Sequence, residues 1–230
     1  MNVAIIAAAG SGSRMVSDRP KQFLQLAGIP IIFHTLKPFE QCESIQEVIV
    51  VLPAEESAGF LALAGKFQIR KLSKVVPGGA TRAESVKRGL LAVREATAEI
   101  VAVHDGVRPF VMPEEIDRTV TAAREHGAAI LVAPATDTIK QVDRGVVTRT
   151  LERSELRHAL TPQCFRYELL RRAYDRADLG DTTLTDDSAL VERLGEKVFV
   201  IEGSARNIKI TTRGDLLVAE ALLKGKDLDF

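Results

Sequence analysis

The chain has 230 residues, 46% hydrophobic and 27% charged, which suits one compact domain with a substantial core. Lys plus Arg and Asp plus Glu each number 31, so the formal net charge is zero and the basic footprint of a nucleic-acid binder is lacking. Cys42, Cys164 and four scattered histidines show no metal-ligand spacing, so reduced, structural thiols are expected and a zinc site is not. The apolar start MNVAIIAAAGSGS is too short to span a bilayer and has no basic stretch before it, which predicts no membrane or signal segment and a cytoplasmic location.

Strand-like runs rich in Val and Ile fall at 3–8, 48–52, 71–76, 100–104, 129–133 and 198–202. Such near-continuous apolar runs are expected of strands buried on both faces of a mostly parallel sheet. Helical patterns lie between or after them, at 30–41, 54–66, 81–96, 113–125, 167–177, 186–194 and 213–223. The alternation predicts a three-layer α/β sandwich, whose ligands bind beyond the carboxyl ends of the strands.

Chemistry gathers at several of these strand ends. After the first strand, Gly10-Ser11-Gly12 is followed by Arg14 and, beside Pro20, Lys21. Glycines leave backbone N–H groups free to face phosphate oxygens, and the cations add charge-assisted hydrogen bonds. The spacing matches neither the P-loop nor the dinucleotide fingerprint, so a P-loop ATPase, a kinase and a standard dehydrogenase are disfavoured. Pro77-Gly78-Gly79-Ala80-Thr81-Arg82-Ala83-Glu84-Ser85 joins a strand to a helix. Its glycines admit a planar ligand, Ser85 can meet a base edge, and Thr81 with Glu84 reads as a capping box. His104-Asp105-Gly106-Val107-Arg108 ends another strand; Asp105 suits a ribose hydroxyl or a metal, Arg108 a phosphate, and His104 a structural role.

Residues 136–150, TDTIKQVDRGVVTRT, break the alternation. Polar and apolar residues alternate around Asp143-Arg144-Gly145, which predicts a β-hairpin of 138–142 with 146–150. A lone hairpin is marginal in water, so it is expected to pack on something, either its own domain or a second copy of the chain. Downstream, Thr161 before Pro162 is a fixed hydroxyl and a candidate substrate contact. Thr185-Asp186-Asp187-Ser188 reads as a helix cap followed by acids that suit the helix dipole. In 207–211, read as a short strand, Lys209 faces away from its neighbours Ile208 and Ile210, either into solvent or into a cleft.

No Ser/His/Asp set or glycosidase-like carboxylate pair is evident. A phosphate oxygen acting as nucleophile is already anionic near neutral pH and requires no general base. Lys, Arg and Mg²⁺ suit such a reaction, because they hold polyanions and stabilise charge on phosphorus.

Together, AAAGSGSRM…PKQFL, PGGATRAESV, HDGVRPF, DTIK, LTPQ, TDDSALVE and NIKIT resemble the 2-C-methyl-D-erythritol 4-phosphate cytidylyltransferases, in the same order and over nearly the whole chain. The resemblance implies a Rossmann-like nucleotidyltransferase fold, a single domain over 1–230 with a protruding β-arm at about 135–155 that forms a homodimer. It implies CMP transfer from CTP to methylerythritol phosphate, with pyrophosphate release and Mg²⁺. By match, Gly10, Ser11 and Gly12 cradle the triphosphate, and Arg14 and Lys21 stabilise the transition state. Ala8, Gly79, Ala80 and Ser85 meet cytosine, and Asp105 meets ribose or metal. Lys209, Thr185, Arg108, Thr138 and Arg153 fall on the acceptor side, the last two serving a partner's site. Position 13 is Ser where many relatives carry a cation, and Thr81 replaces a common acid. The alternative within this chemistry is a cytidylyltransferase acting on another polyol phosphate, ribitol or ribulose 5-phosphate.

Overall fold

The computed structural model describes residues 1–10, 20–181 and 183–225. In chain order its main elements are β1 (Val3–Ala7), β2 (Gln25–Leu26), β3 (Ile29–Pro30), α1 (Ile31–Gln41), β4 (Glu47–Leu52), α2 (Ala54–Ser57), α3 (Phe60–Lys66), β5 (Leu72–Pro77), α4 (Arg82–Ala92) and β6 (Ile100–Asp105). There follow α5 (Pro113–His126), β7 (Ala128–Pro134), β8 (Lys140–Asp143), β9 (Val146–Thr150), β10 (Arg157–Arg166), α6 (Tyr167–Arg176), α7 (Asp187–Glu192), β11 (Phe199–Glu202) and α8 (Arg213–Lys224).

A seven-stranded sheet has the order β11-β7-β10-β6-β1-β4-β5. Every neighbouring pair is parallel except the two made by β10, which runs antiparallel to β6 and β7. The alternation of side chains along β1 separates the two faces. Ala4 and Ile6 pack with Phe33 of α1, Phe60 of α3 and Val120 of α5. Val3 and Ile5 pack with Leu90 of α4, Tyr174 of α6 and Val191 of α7. These side chains are nearly or wholly buried, and each buried Val, Ile, Leu or Phe contributes about 1.5–3 kcal/mol, so the two helical layers follow from the strand pattern.

Ala7 of β1 lies opposite Val51 of β4 and Asp105 of β6, which brings the ends of the three parallel strands to one rim. The chain can turn there because glycine permits close approach. A Cβ on Gly106 would stand 2.5 Å from the Ala8 Cβ, and one on Gly78 only 2.1 Å from the Ala9 Cβ.

Three expectations need correction. The stretch Arg157–Arg166, in which no strand was expected, forms β10 in the middle of the sheet. Pro162 argues against an interior strand, but it falls where the β10–β7 ladder is irregular, between Ala159 and Gln163. Residues 207–211, expected as a strand, join no sheet among the described residues. They are tethered instead by Ile210 N–H to the Val107 carbonyl at 2.9 Å and by the buried Ile210 side chain. The helix expected over 54–66 is two helices, because Gly59 adopts φ +79° between them.

The hairpin expected at 138–142 and 146–150 is formed by β8 and β9. Arg144 and Gly145 have φ of 48° and 83°, the two positive values of a type I′ turn. All its strand residues are exposed, including Val142, Val146 and Val147. Cys42 and Cys164 are buried and unbridged, and burial raises the Cys42 thiol to about 11, consistent with structural thiols.

Candidate active site

Above the strand ends lies a cavity of about 440 Å³, lined by residues 7–10, Lys21, Gln22, 79–82, Ser85, Asp105, Val107 and Lys209. Of the residues expected at the nucleotide, Ala8, Gly10, Gly79, Ala80, Ser85, Asp105 and Lys21 all border it. Ser11, Gly12 and Arg14 lie outside the described residues. The Gly78–Arg82 wall is held from within. The Ser85 hydroxyl accepts from Gly79 N–H at 3.0 Å and donates to the Thr81 carbonyl at 2.9 Å. Thr81 caps α4 through Glu84 N–H at 3.1 Å, as expected. The Glu84 carboxylate, however, reaches Ala80 N–H, not that of Thr81, so half of the capping box is displaced by one residue towards the cavity. The buried Gln22 donates to the Ala8 carbonyl at 2.6 Å, which ties the segment after β1 to the strand end.

Asp105 is the centre of the electrostatics. Its Oδ1 pairs with Arg82 Nε at 3.1 Å, and its Oδ2 with Lys209 Nζ at 2.9 Å and Arg108 Nε at 3.3 Å. Burial alone would raise this carboxyl, but Arg82, Lys209 and Arg108 outweigh burial and hold it well below the usual carboxylate range. The magnitudes agree. One contact near 4 Å at an effective dielectric of about 20 attracts by roughly 4 kcal/mol, and three such contacts exceed the several kcal/mol of a carboxylate's desolvation. Burial also pulls Arg82 downward, yet Asp187 and Asp105 raise it above its ordinary value, so it stays charged.

The Asp105 backbone is fixed as firmly. Its N–H donates to the Thr161 hydroxyl at 3.1 Å. That hydroxyl lies 2.9 Å from His104 Nδ1, and His104 Nε2 lies 3.1 Å from the Arg108 carbonyl. Desolvation by burial pushes His104 down to about 4, so the ring is neutral at physiological pH. The network then has one consistent direction, with Thr161 donating to Nδ1 and Nε2–H donating to Arg108. His104 is structural, as expected. Thr161, expected at the substrate, is 4% exposed and uses its hydroxyl inside this network, so it positions Asp105.

A second, smaller cavity of about 210 Å³ adjoins the first and is lined by Arg108, Thr161, Thr185 and Asp186, among others. Arg82, Asp105 and Lys209 line both. Lys209 therefore occupies the cleft, not the solvent face. Residues 207–211 are carried there by Asn207, whose side chain donates to the Thr161 carbonyl at 2.8 Å and whose own carbonyl accepts from Arg108 at 2.7 Å. The cap of α7 is Asp186, which accepts from Ala189 N–H at 3.0 Å, and not Thr185. Thr185 is thus left facing the second cavity. Thr138 and Arg153 line neither cavity; both are exposed at the arm, where Arg153 donates to the Thr136 carbonyl at 2.9 Å.

Two residues were not foreseen. Arg82 spans Asp105 and the buried Asp187, which it meets at 2.8 Å. Its signal was a cation in the first turn of a helix, where the dipole disfavours positive charge unless an acid compensates. Asp187 resembles an ordinary first-turn acid, and only its burial sets it apart.

A mostly parallel sheet with a glycine-lined cavity at its strand ends, sharing a cationic seam with a second cavity, is the arrangement of a Rossmann-like nucleotidyltransferase, the class to which the family of this chain belongs. The family model described as 2-C-methyl-D-erythritol 4-phosphate cytidylyltransferase (IspD) matches residues 2–225, and the chain belongs to that family. The protein of that name from Pelotomaculum thermopropionicum is 45% identical over 97% of this chain and 94% of its own. The one from Syntrophus aciditrophicus is 44% identical over 98% and 97%. The crystal structure of the 4-diphosphocytidyl-2C-methyl-D-erythritol synthase from Anaerococcus prevotii superposes with a TM-score of 0.83 at 33% identity, covering 97% of this chain and 96% of that one. That of the Thermus thermophilus cytidylyltransferase does so at 0.78 and 35%, covering 96% and 98%.

Proposed function

We propose that this chain transfers the cytidylyl group of CTP to the phosphate of 2-C-methyl-D-erythritol 4-phosphate at the seam between the two cavities. The observation that supports this most is the sharing of Arg82, Asp105 and Lys209 by both cavities, which lets one set of charges meet two phosphorylated molecules at once.

In this reading cytosine lies against Ala8, Gly79, Ala80 and Ser85, and the triphosphate extends towards Gly10, Ser11, Gly12, Arg14 and Lys21. The acceptor sits beside Arg108 and Thr185. An acceptor phosphate oxygen attacks the α-phosphorus in line, the bond to the bridging oxygen breaks, and pyrophosphate leaves. The nucleophile needs no base, so the protein contributes position and charge. Arg14, Lys21 and Lys209 stabilise the charge that builds on the phosphorus oxygens.

Asp105 is the residue that would hold a magnesium ion in this reading. Mg²⁺ typically takes one or two carboxylates and completes its shell with waters and substrate phosphates. Asp105 is the carboxylate lining the first cavity among the described residues, where no group of three or more His, Cys, Asp or Glu could hold an ion by itself. Bound there, the ion would supply charge neutralisation at the phosphates, and an incoming ion would compete with Arg82, Arg108 and Lys209 for Asp105.

We further propose a single domain acting as a cytoplasmic homodimer, in which the β8–β9 arm brings Thr138 and Arg153 to the partner's second cavity. The exposed valines of the arm support this, as does the marginal stability of an isolated hairpin. No helix among the described residues is long and apolar enough to cross a membrane.

Pyrophosphate release tests the reading. With Mg²⁺, release is expected from CTP and methylerythritol phosphate, and far less from UTP. Faster turnover with ribitol or ribulose 5-phosphate would reassign the acceptor.

A further inference from the structure

Asp187 is fully buried, yet it is ion-paired with Arg82, the one guanidinium among the described residues that lines both cavities. Arg82 divides its donors, with Nε on Asp105 Oδ1 at 3.1 Å and Nη2 on Asp187 Oδ2 at 2.8 Å. The other Asp187 oxygen accepts from the Tyr174 hydroxyl at 2.5 Å. Tyr174 is 1% exposed and belongs to the core cluster between the sheet and α4, α6 and α7. The Gln163 side-chain oxygen accepts from the backbone N–H groups of Asp187 and Ser188, each at 3.0 Å, and anchors the start of α7 to β10. A continuous line of contacts therefore runs from Tyr174 in the core, through Asp187 and Arg82, to Asp105 at the seam.

Stability does not account for this line. A buried ion pair gains little over well-packed apolar side chains, and its desolvation penalty can exceed its attraction. Arg82 also stands in the first turn of α4, where the helix dipole opposes it. What the line does achieve is to hold a long, rotatable side chain in one place, with one donor edge anchored and the other aimed at the seam.

We propose that Asp187, held by Tyr174, is a positioning residue for the transfer reaction. It anchors the Nη2 edge of Arg82 so that the Nε edge can pass from Asp105 to a phosphate oxygen at the seam without the guanidinium leaving its place. This rests on the function proposed above. Asp187 acts only through Arg82, which separates it from a residue needed merely for folding.

The test uses the full-length chain, with Asp187→Asn, Tyr174→Phe and each of them combined with Arg82→Ala. Asp187→Asn keeps the shape and removes the charge; kcat is expected to fall roughly 10²-fold, with KM for CTP changed by less than about threefold. Tyr174→Phe removes one hydroxyl, and a fall of about three- to tenfold is expected. In the Arg82→Ala background both substitutions should cost less than about twofold, because their target is gone. Effects that multiply instead would overturn the proposal, as would wild-type kcat in both single variants. If Asp187→Asn does not fold, Tyr174→Phe and its combination with Arg82→Ala decide the matter. A second readout needs no turnover: the ¹⁵N-detected Arg82 Nε–H resonance, assigned by its loss in Arg82→Ala, should broaden or shift in both single variants. An unchanged resonance overturns the positioning role whatever the enzyme turns over, whereas a wild-type chain inactive with CTP overturns the function alone.

Discussion

The ammonium of Lys209 lies 2.9 Å from the Asp105 carboxylate, although the two are remote in sequence and Lys209 belongs to no strand or helix. The contact depends on a backbone tether, since Ile210 N–H binds the Val107 carbonyl and Arg108 binds the Asn207 carbonyl. The segment that bears Lys209 and the loop that bears Asp105 are thus one unit. A cation placed in this way stabilises charge without reorganising during the reaction, which is where an electrostatic catalyst gains most.

Replacing Lys209 by Ala should therefore lower kcat by roughly 10²–10³, the loss of one preorganised donor. The fold should persist, because Ile210 and Asn207 keep the segment in place. Steady-state kinetics with far-UV circular dichroism checks this; a loss of less than about threefold would remove Lys209 from the catalytic set.

The Thr161–His104–Arg108 network ties stability to pH. His104 is folded into a neutral state near pKa 4, against 6.5 when exposed. Below 6.5 the unfolded chain takes up a proton that the folded chain refuses, so stability is full above 6.5 and is lost as pH falls towards 4. The ceiling on this loss is about 3 kcal/mol, since each tenfold weakening of proton binding corresponds to about 1.36 kcal/mol. Urea unfolding of wild type and His104→Gln at several pH values should show a steeper loss of stability between pH 6.5 and 4 in the wild type than in the variant, which keeps only the carboxylate contribution. Parallel curves would show that His104 does not couple to folding.

Two glycines at the rim should behave oppositely. A Cβ on Gly78 would overlap Ala9 and press on Ser85 at 3.0 Å, and Ala9 has no flexible end to yield. Gly78→Ala should cost about 1–3 kcal/mol and distort the nucleotide wall. At Gly10 nothing among the described residues lies within 4 Å of the added carbon, so Gly10→Ala should unfold at the wild-type temperature. Thermal unfolding and CTP titration calorimetry measure both; equal melting temperatures for the two variants would contradict the contact at Ala9.

The arm predicts complementation. If Arg153 serves the partner's site and Lys21 its own, each of Arg153→Ala and Lys21→Ala should be impaired as a homodimer, and mixing them should restore part of the activity. Val147, exposed opposite Val142 in the hairpin, should be needed for the pairing, so Val147→Asp should sediment as a monomer. A dimeric, fully active Val147→Asp protein, or mixtures with no recovery, would place the interface elsewhere.

Much of this protein is legible in the residues alone, where local chemistry decides. Val- and Ile-rich runs form strands, mostly buried except for the largely exposed edge strand β11, Gly78 and Gly79 mark close approaches, and Arg144-Gly145 closes a hairpin. The ordered motifs point to the nucleotide, and Lys21, Asp105, Ser85 and Lys209 do border one cavity. What local pattern leaves undecided is which segments meet. A proline hides β10, because the irregularity that accommodates Pro162 exists only against β7. An arginine at a helix start and an aspartate after a cap look ordinary until the fold buries Asp187 against Tyr174 and brings Arg82 between two carboxylates. Backbone preference and hydrophobic period are properties of neighbours in sequence, and they set the elements. The charges at the seam come from β6, α4 and the segment before α8, and their meeting is fixed by packing and tethers between distant parts of the chain.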